Sequence, residues 1–119
     1  MKKVLVVEDN EENLYLIRFI LEKIGCVVVN SSTGLQGIQM AIKERPDLIL
    51  MDIQLPDIDG LETVKRIRKL EADGTVPIVA VTSYAMLGDR EKALAAGCTD
   101  YIEKPIDPET FIEKIKKFF

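Results

Sequence analysis

The residues that decide the fold of this chain are LILMDIQLP, at positions 48–56. The first four are apolar, and an uninterrupted apolar run indicates a strand buried on both faces, as in a parallel sheet covered by helices. The run stops at the carboxylate of Asp52, and Pro56 followed by Asp59-Gly60 predicts a turn. Open α/β sheets bind ligands at the C-terminal ends of their strands. Asp52 is therefore a candidate functional residue, although a strand that merely ends in a polar residue would look the same.

Four more apolar runs accompany this strand, at residues 4–7, 27–29, 78–81 and 101–102. Between the runs, apolar residues recur every three or four positions, which indicates amphipathic helices. The five predicted helices begin near Asn10, Thr33, Gly60, Gly88 and Pro108. Strand and helix thus alternate five times, which is typical of a parallel sheet with right-handed crossovers and helices on both faces.

Five such units favour a flavodoxin-like, doubly wound α/β fold, written (βα)5, with the parallel strand order 2-1-3-4-5. In this order strands 1 and 3 are neighbours, and a crevice opens at their C-terminal ends, where the chain leaves the two strands in different directions. We expect residues 1–119 to form this one domain, because 119 residues suffice for one core but not for two.

Composition excludes several function classes. The chain has no histidine, which rules out a histidine nucleophile, a phosphohistidine carrier and most zinc sites. Its net charge is −4 without a basic block, so nucleic-acid binding is not expected. No apolar run approaches the roughly 18 residues of a membrane span, and no signal peptide is recognisable, so we expect a cytoplasmic protein. Cys26 and Cys98 should lie at opposite sheet edges and remain reduced.

Chemically suited residues follow four of the five predicted strands. Glu8 and Asp9 end strand 1 and Asp52 ends strand 3, so three carboxylates should meet in the crevice and repel one another. A hard cation such as Mg²⁺ would offset this repulsion and could bridge to phosphate oxygens. Thr82 and Lys104 end strands 4 and 5 on the same rim, where they could bind those oxygens. Since a carboxylate can attack phosphorus, the pattern predicts a magnesium-dependent phosphoryl acceptor.

These residues resemble the receiver domain of two-component response regulators, and the resemblance covers the whole chain. It is carried by Glu8-Asp9, Asp52 in Met-Asp-Ile-Gln-Leu-Pro, Gly60, Thr82-Ser83, Tyr101 and Lys104-Pro105. It implies that Asp52 is the phosphoacceptor and that Mg²⁺ is bound by Glu8, Asp9, Asp52 and the carbonyl of Gln54. It also implies that Thr82 and Lys104 contact the phosphoryl group, and that Thr82 and Tyr101 form the conformational switch.

The same resemblance implies partners. A histidine kinase or a histidine phosphotransfer protein would supply the phosphoryl group, and a downstream protein would recognise the surface of helix 4, strand 5 and helix 5. The domain would catalyse its own phosphorylation and slow dephosphorylation without being a dedicated enzyme, and it is expected to act as a monomer. Gln54 and Tyr84 would set the phosphoryl lifetime, Tyr84 by covering the path of the attacking water.

Several alternatives stay open. The sequence is similar both to single-domain cell-cycle regulators and to receivers of hybrid kinases, although the Met1 start favours a standalone protein. A non-signalling module of the same fold that takes no phosphate is disfavoured by the intact Asp52 and Lys104. Tyr101 would also suit a plain core position.

The loop after Asp52 faintly suggests two other activities. Asp57-Ile58-Asp59-Gly60 is reminiscent of a calcium-binding loop, but the twelfth position of that loop would be Arg66 rather than an acid. We therefore interpret Asp57 as a solvated turn residue. A phosphatase of the Asp-x-Asp type would need a second aspartate where Gln54 stands.

Overall fold

The computed structural model describes residues 2–71, 75–83 and 88–119. Strands and helices alternate along the chain as the hydrophobic pattern predicts. The strands are β1 Lys3–Val7, β2 Val27–Ser31, β3 Leu48–Asp52, β4 Ile78–Thr82 and β5 Asp100–Glu103. The helices are α1 Glu11–Lys23, α2 Gly34–Glu44, α3 Gly60–Leu70, α4 Asp89–Ala96 and α5 Pro108–Lys116.

The five strands form one parallel sheet in the order β2-β1-β3-β4-β5, which confirms the predicted topology. In the middle of β1, Val6 stands between Asn30 of β2 and Leu50 of β3. Because β1 connects outward to β2 whereas β3 connects onward to β4, the chain leaves these two neighbouring strands in opposite directions. The C-terminal ends of β1 and β3 therefore border the crevice in which such sheets bind ligands.

Two apolar cores cover the two faces of the sheet. Successive side chains of β1 point to opposite faces, so Val4 and Val6 enter one core while Leu5 and Val7 enter the other. Helices α1 and α5 complete the first core, and α2, α3 and α4 complete the second. Strands β3 and β4 are buried along their whole length, as their uninterrupted apolar runs predicted.

Polar side chains and glycines define the helix ends. Asn10, Thr33 and Asp59 each accept a hydrogen bond from the backbone N–H three residues further on, which caps α1, α2 and α3. Gly88 precedes α4, and Gly97 follows it with a φ of 114°, a left-handed conformation that favours glycine. None of the described helices has the length and apolar character needed to cross a lipid bilayer.

The two cysteines are free thiols, as predicted, and both are buried. Cys26 belongs to the core under α1 and α5, and Cys98 belongs to the core on the other face of the sheet. Burial raises the pKa of the Cys98 thiol to about 11, so this sulfur stays protonated and unreactive at neutral pH.

Arg68 joins three segments at the end of the sheet where β4 and β5 begin, opposite the crevice. Its Nε donates a hydrogen bond to the Gly97 carbonyl at 2.9 Å, and its Nη1 donates one to the Val76 carbonyl at 2.7 Å. Nη1 also pairs with Glu71 Oε2 at 2.8 Å, and the Arg68 side chain is only 19% exposed. One side chain thus ties the end of α3 to the connections that precede β4 and β5.

We expect Arg68→Met to lower the free energy of unfolding by about 2–4 kcal/mol, because two carbonyls and a shielded carboxylate lose their charged donor. Urea denaturation measures the change. The control is Arg66→Met on the same helix, which removes only an exposed pair with Glu62 and should change stability by less than about 0.5 kcal/mol. Equal losses in both variants would show that the network adds nothing to an ordinary surface pair.

Candidate functional site

The ends of β1 and β3 bring Glu8, Asp9 and Asp52 together. One carboxylate oxygen of each lies within 4.8 Å of the corresponding oxygens of the other two. Glu8 and Asp52 are buried, with 2% and 3% of their surface exposed, whereas Asp9 is open to solvent. A hard divalent cation suits such a set, because it prefers oxygen ligands and keeps several waters of its own on the solvent side.

Lys104 reaches the same crevice from the end of β5. Its Nζ lies 2.9 Å from Glu8 Oε1 and 3.5 Å from Asp52 Oδ1, and its side chain is 10% exposed. Despite the short ion pair, Glu8 Oε1 makes no hydrogen bond of standard geometry within the described part of the chain. A buried carboxylate oxygen in that state has lone pairs to offer, as expected of a ligand at a cation site. The residues present therefore fit a divalent cation.

The carboxyl group of Asp52 is held in an unfavourable environment. Burial raises its pKa to about 7, the neighbouring Glu8 contributes to the rise, and the Gln54 amide and Lys104 only partly oppose it. The Gln54 N–H donates a hydrogen bond to Asp52 Oδ1 at 3.1 Å. Without a cation, the ionised form of Asp52 therefore destabilises the folded chain.

Thr82 and Tyr101 share one small cavity beside the crevice. The cavity has a volume of about 150 Å³, and Ile53 and Leu61 also line it. Thr82 is 2% exposed and Tyr101 is 8% exposed. The Thr82 carbonyl accepts a hydrogen bond from the N–H of Lys104 at 2.7 Å, which holds the ends of β4 and β5 together. The structure thus brings these two residues to the same place.

Close backbone packing fixes the loop that follows Asp52. A methyl group added to Gly60 would overlap the backbone of Asp52 and Ile53, so glycine is required where α3 begins. The N–H of Gly60 donates to the Ile53 carbonyl at 2.8 Å. Gln54 is exposed at the start of this loop. Tyr84 lies outside the described residues, so its predicted part in the phosphoryl lifetime stays a prediction.

The interpretation of Asp57 as a solvated turn residue was incomplete. Its carboxylate is exposed, but it accepts hydrogen bonds from the N–H groups of Gly34 and Leu35, each at 2.9 Å. These two donors hold the pKa of Asp57 down at about 2. A signal was present in the sequence, because α2 is the one described helix without an acidic residue in its first turn.

A family model of the response regulator receiver domain matches residues 4–116. The chain belongs to this family. Its sequence is 44% identical over 117 residues to the polar-differentiation response regulator DivK of Brucella anthropi, which covers 98% of this chain and 95% of that protein. The DivK of Brucella ovis shows the same identity and coverage.

Solved receiver structures are similar to this receiver domain over nearly their whole length. A CheY-like receiver domain protein from Methanospirillum hungatei is 36% identical, with a TM-score of 0.89 and coverage of 98% of this chain and 92% of that one. The receiver domain of a sensor histidine kinase from Pseudomonas aeruginosa is 37% identical, with a TM-score of 0.90 and coverage of 98% and 96%. That structure has a magnesium ion coordinated in its active site cleft.

We expect Asp52→Asn to stabilise this receiver domain in the presence of a chelator, because one charge leaves the buried cluster. The folded-state pKa of Asp52 lies above its unfolded value of about 3.9, so the folded wild type binds an extra proton between about pH 4 and 7. Its stability therefore falls as pH rises through that range. The advantage of the variant should grow from pH 4 and level off above pH 7, at about 2–4 kcal/mol.

Thermal unfolding in chelator across this pH range measures the difference, and added Mg²⁺ should stabilise the wild type more than the variant. Glu12→Gln is the control, since it removes an exposed carboxylate from the first turn of α1. A metal-free Asp52→Asn protein that melts below the wild type at pH 8 would show that the crevice is not strained by charge.

Proposed function

We propose that this receiver domain is a phosphoacceptor switch in a two-component phosphorelay. Asp52 receives the phosphoryl group from a histidine kinase or a histidine phosphotransfer protein. One observation carries the proposal: Asp52 is buried at the end of β3, in a cluster with two other carboxylates, and the Lys104 ammonium lies 3.5 Å from its Oδ1. A nucleophile, a cation site and a fixed positive charge therefore stand within one crevice.

Glu8, Asp9 and Asp52, together with the carbonyl of Gln54, would hold Mg²⁺. The clustered carboxylates and the hydrogen-bond-free Glu8 Oε1 support this assignment, as does the magnesium ion in the related receiver of the Pseudomonas kinase. When bound, the cation neutralises charge on the attacking carboxylate and on the oxygens of the phosphoryl group.

In the transfer step, a carboxylate oxygen of Asp52 attacks phosphorus while the bond from phosphorus to the donor nitrogen breaks. The electron pair of that bond stays on the departing imidazole. Lys104 then shifts its ammonium from the carboxylates toward a phosphoryl oxygen, which needs only a small movement because Nζ already lies 3.5 Å from Asp52 Oδ1. Positioning and charge stabilisation of this kind supply most of the catalysis in phosphoryl transfer.

Thr82 transmits the phosphorylation of Asp52 to the surface that a downstream protein binds. Its hydroxyl binds a phosphoryl oxygen, and Tyr101 moves with it because the two residues line the same cavity. The surface formed by α4, β5 and α5 then changes, and a downstream protein recognises that change. We further propose that residues 1–119 form one cytoplasmic, monomeric domain whose partners are proteins rather than nucleic acid or membrane.

A receiver that forms part of a hybrid kinase is the second candidate. The chain covers 95% of the Brucella anthropi DivK and 96% of the Pseudomonas kinase receiver, so both kinds of protein are matched almost completely. A third candidate is an interaction module of the same fold that takes no phosphate. Phosphorylation itself separates that candidate from the other two.

Incubation with Mg²⁺ and acetyl phosphate should add one phosphoryl group to the wild type, measured by intact-protein mass spectrometry. Asp52→Asn should abolish the addition, because the nucleophile is lost, whereas the exposed Glu12→Gln control should be modified normally. Lys104→Met should slow the reaction markedly, since it removes the positive charge near the attacking oxygen. The same mass increase on Asp52→Asn would move the acceptor elsewhere, and an unmodified wild type would favour the interaction module.

Tyr84→Ala should shorten the half-life of the phosphorylated domain several-fold, because hydrolysis needs an in-line water that this side chain is proposed to exclude. The fraction of Tyr84→Ala that is phosphorylated in the presence of excess donor should fall only modestly. Loss of phosphate after donor removal gives the half-life, with Tyr15→Ala as the control since Tyr15 is 74% exposed on α1. An unchanged half-life with weaker binding to the partner would place Tyr84 at the interface instead.

A further inference from the structure

The loop between β3 and α3, residues 53–59, carries two aspartates that bond to two different helices. Asp59 caps α3, since its Oδ1 accepts a hydrogen bond from the N–H of Glu62 at 2.8 Å. Asp57 faces the other way and accepts from the first two N–H groups of α2. The loop is therefore fastened at one residue to the helix that follows it and at another to a helix 22 and 23 residues earlier in the chain.

The contact with α2 completes the hydrogen bonding of that helix. Thr33 accepts from the N–H of Gln36 through its hydroxyl at 3.1 Å and from the N–H of Gly37 through its carbonyl at 3.0 Å. The N–H groups of Gly34 and Leu35 remain, and both donate to Asp57. Because α2 has no acid of its own in the first turn, Asp57 also supplies the negative charge that a helix N-terminus favours.

Side-chain packing beneath the hydrogen bonds holds the same two segments together. A methyl group added to Gly34 would lie 2.6 Å from Ile58 Cγ1 and 2.5 Å from Thr63 Oγ1, so α2 approaches the loop as closely as a glycine allows. Ile58 packs on the core formed with α2, α3 and α4. Ile58 therefore packs against the start of α2, and the Asp57 carboxylate is the only charged contact of the loop with α2 among the hydrogen bonds described.

That position matters because the loop begins at the crevice. Gln54, three residues before Asp57, donates its N–H to Asp52 Oδ1 at 3.1 Å, and the proposed cation would use its carbonyl. Gly60 secures the far end of the loop against the Ile53 carbonyl. Between these two ends, Asp57 provides the fastening to a neighbouring element.

We propose that Asp57 is a positioning residue for the cation site beside Asp52, which it serves by fastening the loop to the start of α2 so that the Gln54 backbone faces Asp52 and the cation. The proposal rests on the proposed function only through the identity of the cation as Mg²⁺. Loss of Asp57 lets the loop move. Cation binding must then restore the position of the loop, which weakens the affinity for the cation.

A plain helix cap would have a different signature, and Thr33→Ala supplies the matched control. Both Asp57→Ala and Thr33→Ala remove hydrogen bonds from the N-terminus of α2, and each should lower the melting temperature to a similar extent. Only Asp57→Ala also releases the loop. Asp57→Asn keeps a side-chain oxygen that can accept one N–H but loses the charge, so it should fall between the wild type and Asp57→Ala.

The first measurement is amide hydrogen exchange of the metal-free protein, with NMR as the detection method. Exchange of the Gln54 amide should be about fivefold or more faster in Asp57→Ala than in the wild type, and should change less than about twofold in Thr33→Ala. Equal exchange at Gln54 in all three proteins would overturn the proposal, because the loop would then hold its position without Asp57.

The second measurement titrates Mg²⁺ alone and follows the amide signals around the crevice. The dissociation constant should rise about fivefold or more in Asp57→Ala and stay within about twofold in Thr33→Ala. Equal values in the two variants would reduce Asp57 to a helix cap. If the proposal holds, the initial rate of phosphorylation of Asp57→Ala by acetyl phosphate should need more Mg²⁺ for half-saturation than that of the wild type. The maximum rate should change little.

These readouts separate the two proposals. A wild type that binds Mg²⁺ but takes no phosphoryl group, with weakened Mg²⁺ binding in Asp57→Ala, would refute the phosphoacceptor function and support the role of Asp57. A wild type that is phosphorylated on Asp52, with unaltered Mg²⁺ affinity and Gln54 exchange in Asp57→Ala, would support the function and refute the role of Asp57. A wild type without affinity for Mg²⁺ would refute both.

Discussion

The ammonium group of Lys104 is shared by two buried carboxylates. Its single positive charge cannot balance the negative charges in the crevice. It contacts Glu8 and Asp52, while Asp9 adds a third negative charge at the solvent side. Like charges at such separations repel by several kcal/mol when water is largely excluded. The rest of the domain must therefore be rigid enough to keep these groups together, and a divalent cation would relieve their repulsion.

The parallel sheet supplies that rigidity. The carboxylates stand at the ends of β1 and β3, two strands buried on both faces, and Lys104 follows the edge strand β5, which β4 joins to them. Folding free energy gained from the two apolar cores thus offsets the electrostatic cost of the crevice, as is common at functional sites. The close packing of Gly60 on the Asp52 backbone also keeps the site compact, because α3 begins almost in contact with Asp52.

The sequence pattern was sufficient for the strand order and for the convergence of the acidic residues, because both follow from local signals. Apolar runs locate the strands, and residues at the C-terminal ends of β1 and β3 lie at the crevice in this topology. Arg68 and Asp57 could not be interpreted in that way. Their partners are backbone groups as many as 29 and 23 residues distant, so no periodic signal identifies them. The missing acid in the first turn of α2 indicates that this helix needs a partner, but it does not indicate which residue supplies it. Nor does the pattern tell that Lys104 lies closer to Glu8 than to Asp52.

Under the proposed function, charge also favours an order of events at the site. The three carboxylates and Lys104 leave the crevice with two net negative charges if all four are ionised. Phosphorylation of Asp52 would replace its carboxylate charge by a dianionic phosphoryl group and make the crevice more negative by one, which a buried site resists. A divalent cation would first bring the crevice to neutrality, so that the phosphorylated state would carry a single net negative charge. Charge would therefore favour cation binding before transfer, and the contact that holds the loop with the Gln54 carbonyl would act before any phosphoryl donor arrives.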